Sequence, residues 1–355
     1  MAEVRPSEQL GTRLGPSIIV LSRIGRENLR GATAMKLLVR CCVLLSTIAI
    51  SIAASLPAPA APRARVFVST ASDDANPCTA GSPCKTFQHA HDVVAAGGEI
   101  SVLDTGGYGP LTITKALSIV NPTGVEASIA VSSGNNAITI TATASDKISL
   151  RGLTLDGTGV GQDGIEFTSG GVLEITDCVV RGFSEGLFFV PSASAVLKVT
   201  NSEFNDNSDR GIFISPQSSG INVRGVLDHV GLYNNLGCLD VDGNIAMGGT
   251  LAVTVKDSTV SNCGLPNNGV GVAIETDASG APSHVMLVRT TIANNPNFGI
   301  LASGAGAHVV VDSSTIFNND HAWAVFNSGQ IFSYGNNSVF DNTDDFGAQT
   351  AATQK

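Results

Sequence analysis

The stretches LRGLTLDG (150–157), TDCVVRGF (176–183), TNSEFNDN (200–207), DHVGLYNN (228–235), KDSTVSNC (256–263), RTTIANNP (289–296), SSTIFNND (313–320) and NNSVFDNT (336–343) are versions of one another. Each carries an apolar residue at the same place: Leu155, Val180, Phe204, Leu232, Val260, Ile292, Ile316 and Phe340, at steps of 25, 24, 28, 28, 32, 24 and 24 residues. Self-similarity with a period in the twenties and strand-like content is the mark of a solenoid. Within each repeat, a strand ending in a polar residue (LEITD, LAVTVKD) is followed by a short second strand (STV, TTI). A third strand follows the pattern Gly-apolar-x-apolar, as in GIEF, GLFF, GIFI and GVAI. Three strands per ~24-residue turn, without two-residue hairpin turns at the period, predict parallel strands coiling along an axis. At ~4.8 Å per coil, about ten coils make a rod roughly 50 Å long.

The alternation sets the core. Leu153, Leu155, Leu173, Ile175, Leu197, Val199, Val253, Val255, Val285, Leu287, Val309 and Val311 point inward, and the residues between them point out. Upstream, ISVL, LTIT, LSIV, SIAV and ITIT extend the same pattern from Ile100. Before it, KTFQHAHDVVAAGG reads as one short amphipathic helix. It starts at Lys85 or Thr86, buries Phe87, Ala90, Val93 and Val94, and stops at Gly97-Gly98. A solenoid has an apolar end that needs a cover, which such a helix supplies. Two residues beyond the apolar column, Asn234, Asn262, Asn294, Asn318 and Asn342 recur. Asparagine tolerates left-handed backbone at a corner, and its amide bonds to neighbouring backbone, so these five are expected to form an internal asparagine ladder.

Residues 1–34 read as an upstream extension preceding Met35, and residues 35–60 as a signal peptide. In the latter, Lys36 and Arg40 precede the apolar CCVLLSTIAISIAA (41–54), and Ala58-Pro59-Ala60 follows as an Ala-x-Ala-like cleavage site. The expected organisation continues with a cap over 61–99, coils over 100–345 and a tail over 346–355. Of the 20 basic and 30 acidic residues, residues 1–60 hold seven and three, which leaves 13 and 27 in the exported chain, a formal charge of −14. Such a surface repels phosphate backbones and argues against nucleic acid. Five cysteines follow the signal peptide, and export permits pairing. NPCTAGSPC predicts a Cys78–Cys84 disulfide. Cys238 and Cys263 fall near one corner of successive repeats, which leaves a second bridge open. The expected location is the periplasm or the exterior, with no transmembrane segment in the exported chain.

With its cap sequence RVFVSTASDDANPCTAGSPCKTFQHAHDVV and its coils from about 100 to 345, the chain resembles the right-handed parallel β-helix superfamily whose best-known members are pectate lyases. The resemblance implies an all-β right-handed parallel β-helix with an N-terminal capping helix. It implies binding or processing of a polysaccharide along the side of the rod, by lyase or hydrolase chemistry. The other reading is a non-catalytic structural or adhesive rod whose partner is a cell-envelope component. Motifs of the family enzymes are missing: Gly-His-Gly, Arg-Ile-Lys and Asp-Pro-His-Glu do not occur, and Asn342-Thr343-Asp344-Asp345 sits in the last coil. Only Val226-Leu227-Asp228-His229 is similar to the strand-ending Asp-His of lyases, which makes Asp228 a candidate and calcium a cofactor only if the activity is lyase-like. The six histidines show no metal-ligand spacing, and no cofactor is evident.

Geometry supplies the remaining candidates. Asp163, Glu185 and Arg210 precede the third strand in three successive repeats, which would stack two carboxylates and a guanidinium at ~4.8 Å intervals. The outward residue of that strand gives Glu166, Phe188, Phe213 and Asp240. Phe188 and Phe213 are candidates for stacking on sugar rings. On the first strand, Lys198, Arg224 and Lys256 are candidate substrate-binding bases. The longest loops, 241–250 and 275–284, gather beside the middle coils.

Overall fold

The computed structural model describes residues 63–122, 124–264, 269–346 and 349–352. The upstream extension and the signal peptide expected over 1–60 lie outside the described residues. The chain coils into an all-β right-handed parallel β-helix of about nine turns. Twelve parallel strands form the first sheet, from Arg63–Val68 at one end to Thr350–Ala351 at the other. Two further parallel ladders complete each coil. The second includes Glu203–Asn205, Gly231–Tyr233, Thr259–Ser261 and Thr291–Ala293. The third includes Arg210–Ile214, Gly237–Asp242, Val272–Glu275 and Phe298–Ser303. In the upstream coils, second and third strands run together as Leu153–Ser169 and Val179–Phe189.

All twelve residues expected to point inward are buried, in one core that runs the length of the coils. The apolar column is in register from Leu155 to Ile316, but its last member is Val339, not Phe340. The final coil is one residue shorter, so Phe340 pairs with Phe317, with ring centroids 4.7 Å apart.

The helix spans Phe87–Val93, with Thr86 as its N-cap accepting from the His89 N–H at 3.2 Å. Asp74 accepts from the Lys85 and Thr86 N–H groups and fixes the entry. The helix ends four residues before the expected glycine stop. Val94 is already extended and begins the strand Val94–Val102, because pairing with Arg63–Val68 satisfies its backbone in the first sheet. Phe87 lies against Tyr108, centroids 4.9 Å apart, and both are fully buried. Cys78 and Cys84 are joined, within the cap. At the other end, Thr350–Ala351 adds a strand against Gln330–Ser333, inside the expected tail.

The corners carry the main correction. Asn234, Asn262, Asn294 and Asn318 occupy the left-handed corner, with φ between 52° and 58°, in a column with Asp206 and Asp341. They bond coil to coil, the Asn318 Nδ2 donating to Asn294 Oδ1 at 2.8 Å and the Asn234 Nδ2 to Asp206 Oδ1 at 3.0 Å, but on the exposed side of the corner, as an outer row and not as the internal ladder. That ladder lies one residue further on, at Asn207, Asn235, Asn295, Asn319 and Asn342, and only Asn342 belongs to the expected set. The Asn207 Nδ2 donates to Asn235 Oδ1 at 2.9 Å, the Asn295 Nδ2 to Asn319 Oδ1 at 2.7 Å, and the Asn319 Nδ2 to Asn342 Oδ1 at 2.9 Å. The same oxygens accept the backbone N–H of the preceding coil. The corner residue turns the chain, and the next side chain is thereby aimed inward.

Glycine at the start of the third strand makes room for this ladder. A Cβ on Gly211 would lie 2.8 Å from the Asn235 amide nitrogen, and one on Gly271 or Gly299 would crowd Asn295 or Asn319 in the same way. At one contact between successive coils both positions change together. Cys238 stands in the glycine column, Cys263 in the asparagine column, and they form a disulfide. A covalent bond there replaces a packed Gly·Asn contact. Replacing Cys238→Gly with Cys263→Asn should therefore restore the ladder between Asn235 and Asn295. Opening the bridge removes roughly 3–4 kcal/mol of loop-closure stabilisation, of which about 1–2 kcal/mol should return as buried hydrogen bonds. Denaturant titration checks this: the Gly/Asn variant should unfold above a Cys238→Ala/Cys263→Ala variant and below the parent.

Candidate functional site

The third ladder brings the candidate acids together. Glu185 is the register partner of Asp163, and the pairing of Leu187 with Ile212 sets Arg210 one coil beyond Glu185. Each of these stands three residues before its counterpart in the Glu166, Phe188, Phe213, Asp240 column, so strand alternation does not join the two columns; the Arg210 side chain does, by reaching both Glu185 and Asp240 and lying over Phe213. Arg210 is the hub. Its Nη1 donates to Glu185 Oε1 at 3.1 Å and to Asp209 Oδ2 at 2.8 Å, and its Nε donates to Asp240 Oδ2 at 2.8 Å. Its guanidinium carbon sits 4.6 Å from the centroid of the Phe213 ring. Phe213 in turn stacks on Phe188, centroids 5.5 Å apart and planes 16° from parallel.

The arrangement alters one expectation. Phe213 is not an exposed stacking surface: it is 9% accessible, between Arg210 and Phe188. Phe188 is half-buried and keeps an outward edge. Sequence reasoning also missed Asp209 and did not assign Asp240 to the ionic group. Asp240 lies opposite Phe213, and Arg210 reaches it only by lying across that ring. The spacing of residues showed the columns, but the lean of one side chain over another left no sequence signal.

These carboxyls are unusual for a surface. Asp163 is 5% and Glu185 8% accessible. Burial, reinforced by Glu166, pushes Asp163 up to about 6. Burial pushes Glu185 up to about 7; Arg210 opposes this, and Asp163 adds to it. Burial raises Asp240 to about 6 against the pull of Arg210. Desolvation disfavours the charged form of an acid, and like charges add to it. The face therefore holds adjacent carboxyls whose charged forms are disfavoured by burial.

The other candidates are dispersed. Lys198, Arg224 and Lys256 occupy three different register positions of the first sheet. Lys198 pairs with Glu174 at 3.1 Å, which also binds Lys147 at 2.7 Å, and Lys256 pairs with Asp228 at 2.7 Å. Asp228 accepts from the His229 ring at 2.7 Å, and His229 occupies the left-handed corner, φ 55°. That is a turn pair with a basic partner. Asp228, His229 and Asp257 lie within mutual reach of one ion, but Lys256 already neutralises Asp228, and Arg289 grips Asp257 through two 2.7 Å contacts. Calcium takes six to eight oxygen ligands; this donor set does not fit it. The loops 241–250 and 275–284 stack on each other at the corner between third and first strands, with the Asp277 N–H donating to Asn244 at 2.7 Å. Ile245 and Met247 stand out from them, 55% and 64% accessible.

The raised carboxyls predict a pH dependence. The unfolded chain releases the Asp163 proton near 3.8 and the folded chain near 6, so the folded state holds more protons between these values and its stability falls as pH rises through them. Asp163→Asn should therefore be more stable than the parent at pH 7–8, by roughly 1–3 kcal/mol. The difference should shrink toward pH 4, as read from urea midpoints across pH.

Residues 111–227 match the family model described as right handed beta helix region. No curated protein matches the chain. Among solved structures, pectate lyase Pel9A is similar at 15% identity and TM-score 0.59, over 81% of this chain and 79% of that one. The alginate lyase from Paenibacillus sp. str. FPU-7 is similar at 11% identity and TM-score 0.59, over 81% and 99%. A rhamnogalacturonan lyase is similar at 15% identity and TM-score 0.51, over 76% and 75%. The cap, the parallel coils, the matched family model and these likenesses agree: the chain is a right-handed parallel β-helix protein with a pectate lyase-like fold.

Proposed function

We propose that the chain is an exported protein that binds and processes a polysaccharide along its third face, centred on Asp163, Glu185, Arg210 and Asp240. The observation that carries this reading is the pair of stacked, desolvated carboxyls beside the half-buried Phe188 ring. Adjacent-strand spacing of ~4.8 Å is close to the ~5–5.5 Å between the two carboxyls of retaining glycosidases. Burial raises both carboxyls, so the pair can retain one proton, one member donating to a glycosidic oxygen and the other meeting the positive charge that develops at the ring carbon. Arg210 holds Glu185 and Asp240 in place. The solved structures of similar fold that are titled as polysaccharide lyases support a saccharide substrate, and the two disulfides support an extracellular or periplasmic setting.

One observation favours the non-catalytic rod. Outward positions of the same ladder downstream, Ala273, Leu301 and Ala324, are buried and form a small apolar cluster with Val270 and Phe298. That leaves the open part of the face short. A panel of purified polysaccharides separates the readings. Turnover, followed as new reducing ends or as unsaturated products, is expected to fall roughly 10²-fold or more in Glu185→Gln. Retained binding without turnover in the parent would remove the processing step, and absence of binding to every polymer would remove polysaccharide binding as well and leave the rod.

A further inference from the structure

We infer, building on the proposed saccharide function, that the polymer this face accepts is cationic, carrying free amino groups on its sugars, and is not a polyuronate. The charge balance of the face is the first observation. Arg210 is the one base of the described third strands between Asp163 and Glu275, which also carry Asp163, Glu166, Glu185, Asp240 and Glu275; Glu185, Asp240 and the neighbouring Asp209 pair with it directly. Solvated acids would keep a protein soluble, but all six of these are buried or half-buried, where a net negative charge is expensive. A uronate carboxylate would add like charge to this face.

The second observation is independent of charge count. Glu185 Oε2 and Asp240 Oδ1 are buried oxygens with no hydrogen-bond partner. They lie on opposite sides of the guanidinium, which engages the other oxygen of each carboxyl. Buried acceptors are normally satisfied. A protonated sugar amine offers three N–H donors and a positive charge, whereas a uronate carboxylate offers only acceptors. The half-buried Phe188 ring beside them also favours a cation over its face. Among the described residues, the donor groups close enough to share an ion are Cys78, Cys84 and His89, and Asp228, His229 and Asp257. Neither lies on this face.

Calorimetric titration of the full chain with three short oligosaccharide probes tests the inference: glucosamine oligomers, their fully N-acetylated counterparts, and oligogalacturonate. The expected result is at least tenfold tighter binding of the free-amine oligomer than of the acetylated one. Proton release should accompany binding, seen as a heat that depends on the buffer. In Asp163→Asn/Glu185→Gln the preference should drop toward parity. In the control Glu126→Gln/Asp177→Asn, which removes two exposed acids elsewhere, the preference should persist; an equal loss there would mean bulk charge attraction and would overturn the inference. Equal or tighter binding of the acetylated or uronate probe would also overturn it, while leaving the saccharide function intact. Failure of all three probes, and of the polymer panel, would remove that function as well.

Discussion

Backbone N–H groups at the second corner of successive coils are held by the asparagine of the next coil, and the rest of the molecule depends on that bond. It fixes the stacking of one coil on the next at the place where the chain turns most sharply. The corner residue must be left-handed, hence Asn or Asp, and the residue after it must point inward, hence the amide ladder. The third strand must begin with a residue small enough to clear that amide, hence glycine. Three columns that look like separate preferences are one packing solution. The Cys238–Cys263 bridge shows the equivalence, since it occupies the glycine and asparagine positions of a single contact.

A register held this tightly makes side chains from residues about 25 apart in sequence into neighbours. Asp163, Glu185 and Arg210 meet for that reason alone. The arrangement concentrates negative charge where water is scarce, and the carboxyls respond by holding their protons more strongly. A fold that needed only a soluble exterior would leave these acids solvated, as it leaves Asp177 and Glu126.

Much of the architecture was legible because a coil's requirements repeat. Inward leucines and valines alternate strictly, and each repeat ends at a polar corner, so period and face could be read directly. Errors came where a single residue of offset mattered. The asparagine ladder was placed one position early because both Asn234 and Asn235 are asparagine in that repeat, as are Asn294 and Asn295, and Asn318 and Asn319. The column end was placed at Phe340 because the last coil is one residue short. The helical pattern of the sequence continues to Gly97-Gly98, while strand pairing with Arg63–Val68 claims the backbone from Val94.

The sequence by itself determined the coil: its period, its inward face, its corners and its cap are all set by local backbone preference and apolar alternation, which recur in every repeat. Only the tertiary structure decided the chemistry of the outer face. Which acid shares Arg210, that Phe213 lies beneath a guanidinium, and that Lys198, Arg224 and Lys256 are separated all depend on side-chain directions between coils. Those directions follow from contacts across the stack, and no single repeat contains them.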